Sequence, residues 1–285
     1  MKVLGFHIRV SSFYSPGVPW SRSSAYPIPP PSALCGMLAN ALWLSGHNPK
    51  TDEHPAVACL REVTYRVKGI WAGIVGGMAV STAGTVKNVF GGSNVYIDDG
   101  ITRSGQKVKG IRGKLLPVQA LIQDNPEARS GEIIQTDISP RQFLFCPEGF
   151  RVFVASEDGG FLADVADALR RAPLYLGDSE GLVNVFLDTD PIQDAEDAEG
   201  PEHEVSVYFP DELAMHNGID GDGGTLYWVN ERALMPGERG EKMVSYLFPV
   251  IQRGKTFRPS RLRVRFNGKA KLIRAFGEVL PMRKA

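Results

Sequence analysis

Residues 2–11 alternate, with Leu4, Phe6, Ile8 and Val10 on one side and Val3, Gly5, His7 and Arg9 on the other. That is the period of a half-buried strand. The period then changes. Ala33, Leu34, Met37, Leu38, Ala41 and Leu42 recur at helical spacing, which predicts one apolar helix face. Pro31 or Ser32 can open this helix, and Gly46 suits the C′ position. The run Pro27-Ile28-Pro29-Pro30-Pro31 in front of it is a stiff strut, because each proline fixes φ at about −65° and removes a donor. Residues 47–55 are polar and turn-rich, a loop. Residues 61–74, with Val63, Tyr65, Val67, Ile70, Trp71 and Ile74, predict a second strand.

From residue 76 to about 135 the pattern dissolves into scattered glycines and short β-like pieces such as NVYI and LLPVQALI. So long an excursion inside a compact domain is either functional or disordered; because it carries a basic cluster, it is read here as a long hairpin that folds onto a partner. Two β-rich pieces around Pro147-Glu148-Gly149 restore order over residues 141–155. Asp158 then caps a helix whose face is Phe161, Leu162, Val165, Ala166 and Leu169, and Pro173 ends it. Residues 174–176, a tight turn at 177–181 and residues 182–187 complete a last strand. Strand, helix, strand, excursion, strand, helix, strand is the βαββαβ order of an α+β, ferredoxin-like domain. The expected division is residues 1–190 with the insertion at about 76–135, then a smaller β-rich lobe over 191–285. The acidic, glycine-containing residues 188–204 read as a linker, and VSVYF, TLYWV, MVSYLFPVI, SRLRVRF and KLIRAF as the strands of the second lobe.

Composition narrows the class. The chain has 285 residues, 43% hydrophobic and 22% charged, as a soluble globular protein does. No apolar run is long enough for a membrane span, and the first residues are too soon interrupted by Arg9 for a signal peptide. Cys35, Cys59 and Cys146 are widely spaced and never in CxxC spacing, so a reducing, cytoplasmic home without disulfides or zinc is expected. The net charge is zero, which alone speaks against a nucleic-acid binder. Its distribution speaks the other way: residues 103–114 carry Arg103, Lys107, Lys109, Arg112 and Lys114 without an acid. Residues 253–274 carry nine Lys or Arg, again without an acid. Such segregation predicts a positive working surface on a neutral molecule.

Several chemical motifs fail on context. Gly254-Lys255-Thr256 has Pro249 where a P-loop needs glycine, and Asp220-Gly221-Asp222-Gly223 lacks the distal acid of a calcium loop. Gly177-Asp178-Ser179-Glu180-Gly181 fits a serine-hydrolase elbow in letters, but the elbow requires a helix after the serine and residues 182–187 read as a strand, so a hydrolase using Ser179 is kept only as a remote alternative. No metal or cofactor is expected.

Arg22, Tyr26-Pro27, Pro29-Pro30-Pro31-Ser32-Ala33-Leu34 and Gly36-Met37-Leu38 resemble the opening signature of the CRISPR-associated RAMP proteins of the Cas-five family. Two later passages agree: Arg141-Gln142-Phe143-Leu144 leading to Phe150-Arg151-Val152-Phe153, and Pro173-Leu174-Tyr175-Leu176-Gly177-Asp178-Ser179-Glu180. Together they span the first two-thirds of the chain in the family's order. The resemblance implies a ferredoxin-like, RNA-recognition-like domain with a long β-hairpin thumb. It also implies a non-catalytic role, capping the 5′ handle of CRISPR RNA (crRNA) in a type I surveillance complex (Cascade). The partners it implies are crRNA, the backbone subunit and the large subunit, with target DNA near the PAM end as a further candidate. In one branch the same fold instead cuts precursor RNA with tyrosine, lysine and histidine, which makes a metal-independent endoribonuclease the alternative. No histidine lies near the lysines of the excursion in sequence.

RNA single strands are held by cations on phosphates and by aromatic stacking. The phosphate candidates are therefore Arg22, Lys107, Lys109, Arg112, Lys114 and Arg141, and the stacking candidates Tyr26 and Tyr96. Phe143, Phe145 and Phe153 are assigned to the core.

Overall fold

The computed structural model describes residues 1–10, 12–13, 28–49, 51–82, 94–96, 115–117, 142–176, 182–220, 227–234, 241–254 and 256–284. The chain divides into two compact units, Met1–Ser81 with Gln142–Ala285, and Thr82–Arg141. The first is mixed α and β, rich in strands, with three α-helices among its described residues.

It opens with β1 (Lys2–Arg9) and β2 (Ser12–Phe13), followed by α1 (Pro31–Leu44), α2 (Pro55–Arg66), β3 (Val67–Ile74) and β4 (Met78–Thr82). The second unit holds β5 (Asn94–Tyr96) and β6 (Leu115–Pro117), an antiparallel pair. The chain returns to the first unit with β7 (Gln142–Phe145), β8 (Phe150–Ser156), α3 (Gly159–Arg171), β9 (Leu174–Tyr175) and β10 (Leu182–Asp194). The remainder is short strands: β11 (Glu196–Asp197), β12 (Glu202–Val205), β13 (Phe209–Pro210), β14 (Ala214–Asp220) and β15 (Tyr227–Leu234). They continue with β16 (Glu241–Phe248), β17 (Val250–Arg253), β18 (Thr256–Pro259), β19 (Leu262–Phe266), β20 (Ala270–Ala275) and β21 (Glu278–Arg283).

The central sheet has the order β3-β8-β1-β10-β9, with every adjacent pair antiparallel. Leu4, Phe6 and Ile8 of β1 share a buried cluster with Leu34, Leu38 and Leu42 of α1 and with Phe161, Leu162, Val165 and Leu169 of α3. Helical period against strand period therefore builds the main core as the sequence predicts. Both helix starts follow expectation as well. Pro31 stands at the first position of α1, and the Asp158 carboxylate caps α3 by accepting from the Phe161 N–H at 3.0 Å. The backbone hydrogen bond to Phe161, and after it the Arg66 guanidinium, hold that carboxyl below the usual range.

Three expectations are corrected. Residues 61–66 are not strand but the second half of α2. Pro55 starts it, the His54 side chain accepts from the Ala56 N–H, and Glu62 pairs with Arg66 one turn on. The alternation of Val63 and Tyr65 is coincidence, for Val63 is buried and Tyr65 is 77% exposed. Residues 188–204 are not a linker. After a bulge between Leu187 and Ile192, β10 pairs again with the start of β1, and Lys2 reaches the Asp194 carboxylate at 2.8 Å. Nor is β1 half-buried: Val3 and Gly5 on its second face are covered too.

That cover comes from the C-terminal segment. Val3, Trp71, Phe153 and Ala155 of the sheet form a second cluster with Val207, Ile273, Ala275 and Leu280. The Trp71 indole N–H donates to the Pro281 carbonyl at 2.8 Å, and the Tyr208 N–H to the Ala72 carbonyl of β3. The β20–β21 hairpin turns on Phe276 and Gly277, both at positive φ (54° and 75°). A two-residue turn of this kind needs φ above zero at both positions, which costs a phenylalanine on the order of 1–2 kcal/mol. Seating the ring offsets the strain. Phe276 packs 5.8 Å from Phe153 and directly over Gly5, where a Cβ would come within 2.9 Å of the ring.

Trp71→Phe removes part of a fully buried ring and leaves the buried Pro281 carbonyl without its donor. It should cost about 1–3 kcal/mol, read as a lower urea midpoint with an unchanged m-value. A midpoint equal to wild type would show that this bond does not hold the C-terminal segment.

Candidate nucleic-acid interface

Arg22, Tyr26, Lys107, Lys109, Arg112, Lys114 and Arg141 lie outside the described residues. Tyr96 falls in β5, opposite Leu115, and its side chain is likewise outside them. What is described is the anchoring at either end. Ile28, in the proline strut, is fully buried in the main core just ahead of α1. The excursion leaves from β4 and returns at β7, neighbours in the five-stranded sheet β17-β18-β4-β7-β2.

The C-terminal basic run is corrected. Segregated along the chain, it is interleaved with acids in space. β19 alternates Leu262, Val264 and Phe266 inward with Arg263 and Arg265 outward. Antiparallel pairing sets Glu204 and Asp220 across from Arg263, and Glu202 across from Arg265. Arg263 lies 3.7 Å from Glu202, Lys271 3.9 Å from Asp197, and Arg261 3.6 Å from Glu278, which also accepts from the Ser206 hydroxyl. Arg274 faces Glu196 across the β11–β20 pair. Each such pair contributes at most about 1 kcal/mol, and together they offset the charge of Arg261, Arg263, Arg265, Lys271 and Arg274, the larger part of the run. The acids taken for a linker are its partners.

Positive charge without such partners stands on the second face of the central sheet, beyond the part that the C-terminal hairpin covers. Gly73, Arg151, His7 and Phe186 lie in register across β3, β8, β1 and β10. Arg9, two residues on from His7, places its guanidinium 5.4 Å from the centre of the Phe186 ring. The His7 Nε2–H donates to the Glu148 carbonyl at 2.6 Å, which fixes the ring. Phe186 is 50% exposed, and Leu182 and Tyr175, a cross-strand pair at the sheet's edge, are 63% and 39% exposed. Among the described residues neither Arg9 nor Arg151 pairs with a carboxylate. The alternation of β1 does put His7 and Arg9 on one face in the sequence. Phe186 was not legible, because Leu182–Leu187 is apolar except for Asn184, and one polar residue does not say which of the others stay uncovered.

Among the described residues no group of acids, histidines and cysteines could hold a metal ion, and no helix is long and apolar enough to cross a membrane. Residues 177–181, with Ser179, lie outside the described residues, but the chain enters strand at Leu182, not the helix of a nucleophile elbow. All three cysteines are free and buried. Burial, with the Glu148 carboxylate nearby, pushes the Cys146 thiol up to about 12.

A family model described as CRISPR-associated protein (Cas_Cas5) matches residues 4–258. No curated protein sequence matches. Among solved structures, a CRISPR protein from Archaeoglobus fulgidus is similar at 13% identity over 100% of each chain, with a TM-score of 0.56. A chain of the Type III-B Cmr-beta complex bound to cognate target RNA and AMPPnP is similar at 10% identity over 92% of this chain and 86% of its own, with a TM-score of 0.40. A chain of a CRISPR RNA-guided surveillance complex follows at 13% identity over 92% and 90%, with a TM-score of 0.36. The first shows a shared fold; the lower two scores add nothing to that.

A thiol held near 12 and buried is a poor nucleophile at neutral pH. Cys146 should therefore resist a disulfide reagent at pH 8 in the native protein and react fully in denaturant. Labelling of Cys146 at the rate of a free thiol, followed by peptide mapping, would contradict its burial.

Proposed function

Because the chain belongs to the CRISPR-associated Cas5 family, we propose that it is a non-catalytic RNA-binding subunit of a type I surveillance complex (Cascade). In this reading it caps the 5′ handle of crRNA in the cytoplasm and contacts the backbone and large subunits, with target DNA near the PAM end within reach. The observation that carries the proposal is the family match over residues 4–258.

The finer fold belongs to the same proposal. A ferredoxin-like βαββαβ domain is supported by the order β3-β8-β1-β10 with antiparallel neighbours and by α1 and α3 on one face. A thumb is supported by the separate compactness of Thr82–Arg141. The acid-free basic residues 103–114 fall inside it. With the C-terminal run neutralised by its cross-strand acids, Lys107, Lys109, Arg112 and Lys114 are the stronger candidates for phosphate contact, joined by Arg22 and Arg141, with Tyr26 and Tyr96 for stacking. The endoribonuclease alternative has one observation in its favour: His7 stands in register with Arg151.

Replacing Lys107, Lys109, Arg112 and Lys114 by Ala should weaken binding of labelled repeat RNA and lower the salt slope by about 3, since each phosphate contact on a single strand contributes about 0.7. The double variant Arg263→Ala/Lys271→Ala should bind within about twofold of wild type, because its charges are already cancelled. Equal losses in both, or none in the first, would count against the thumb. Incubation of repeat RNA with the pure protein in EDTA should give no discrete cut, and a single cut abolished by His7→Ala would replace the binding role with the nuclease one.

A further inference from the structure

Where the C-terminal hairpin stops, the second face of the central sheet holds a half-exposed aromatic ring between cations that no described carboxylate neutralises. Exposed apolar residues are ordinary when scattered. Here Phe186, Leu182 and Tyr175 are exposed together on one face of β10 and β9. Arg9 lies against the Phe186 ring, and Arg151 lies two strands across, with His7 between them. At about 4.8 Å per strand the row from Arg151 to Phe186 spans about 10 Å. We infer that this row is a binding site for single-stranded RNA, with one base stacked on Phe186 and the adjoining phosphates held by Arg9 and Arg151.

The chemistry is that of sheet surfaces that bind single strands: a π-face for the base and cations for the backbone. Three features commit it to a nucleic acid. The same face already seats a planar ring one row away, where Phe276 lies over Gly5 beside Phe153. The cations here lack the cross-strand acids that every neutralised pair of the C-terminal run has. A groove of about 380 Å³ adjoins Arg151 and is lined further by Gly73, Ser206 and the Arg261–Glu278 pair, which leaves Arg151 as its unpaired cation. The exposed acids Asp188 and Asp190, in the bulge after Leu187, repel phosphate and close the site on that side. His7 is a positioning residue: its bond to the Glu148 carbonyl fixes the loop between β7 and β8 against β1.

The inference rests on the RNA-binding reading and adds a contact outside the excursion. It is tested with the full chain and fluorescein-labelled repeat RNA. Phe186→Ala should weaken binding about 5- to 100-fold without changing the salt slope, as loss of one stacked base does. Phe186→Tyr should restore it. Arg9→Ala/Arg151→Ala should lower the slope by about 1.4. RNA carrying 4-thiouridine should crosslink to the peptide that contains Phe186. If the quadruple variant of the excursion (Lys107, Lys109, Arg112 and Lys114 to Ala) loses binding while Phe186→Ala and the double arginine variant bind as wild type, the inference fails and the proposed function stands. If wild type does not bind repeat RNA at all, the proposed function fails, and the inference with it. If Phe186→Ala binds RNA normally but no longer copurifies with a neighbouring subunit, the inference is overturned and the row is a protein contact.

Discussion

The structure of the larger unit depends on the seating of the C-terminal hairpin on the second face of the central sheet. A four- or five-stranded antiparallel sheet with helices on one side leaves its other side to water or to a partner. In this chain Trp71 and Phe153 occupy that side, and each fully buried aromatic of this kind stabilises by about 2–3 kcal/mol. They are covered by Val207, Ile273, Ala275 and Leu280, tied by the Trp71 indole and by the backbone bridge from Tyr208 to Ala72. The strained turn at Phe276 belongs to the same contact, because its ring fits only where Gly5 has no side chain.

This packing also decides what stays available. One half of the face is consumed by hydrophobic contact and the other half is left open, lined by Arg9, His7, Arg151 and Phe186. The boundary between them lies where the hairpin ends, not where the sheet ends. One sheet face thus becomes half core and half exposed surface through the length of a hairpin that follows some ninety residues later in the chain.

Electrostatics follows the same logic. Basic side chains of β19 and β20 point outward because Leu262, Val264 and Phe266 point in, and the strands that pair with them bring Glu196, Glu202, Glu204 and Asp220. Charge that looks polarised along the sequence is mixed by antiparallel pairing. What keeps its sign is charge whose cross-strand neighbours are not acids: Arg9 stands opposite Asn184, and Arg151 opposite His7 and Gly73.

The sequence by itself determined the elements whose signal is local. The start of α1, the cap and face of α3, and the two strands on either side of Pro147-Glu148-Gly149 were legible in periodicity and in Pro, Asp and Gly positions. So was the family, through the order of its motifs. α2 was missed because a polar helix with only Ala58, Cys59, Val63 and Thr64 buried has too thin an apolar stripe to outweigh a chance alternation. Only the tertiary structure decided the rest: that residues 188–204 contribute to three strands, that Arg261, Arg263 and Arg274 face acids, and that Phe186 is exposed while Phe153 is not. Each of these depends on which distant strand lies opposite, and the register of pairing between segments far apart in the chain leaves no trace in the period of either one.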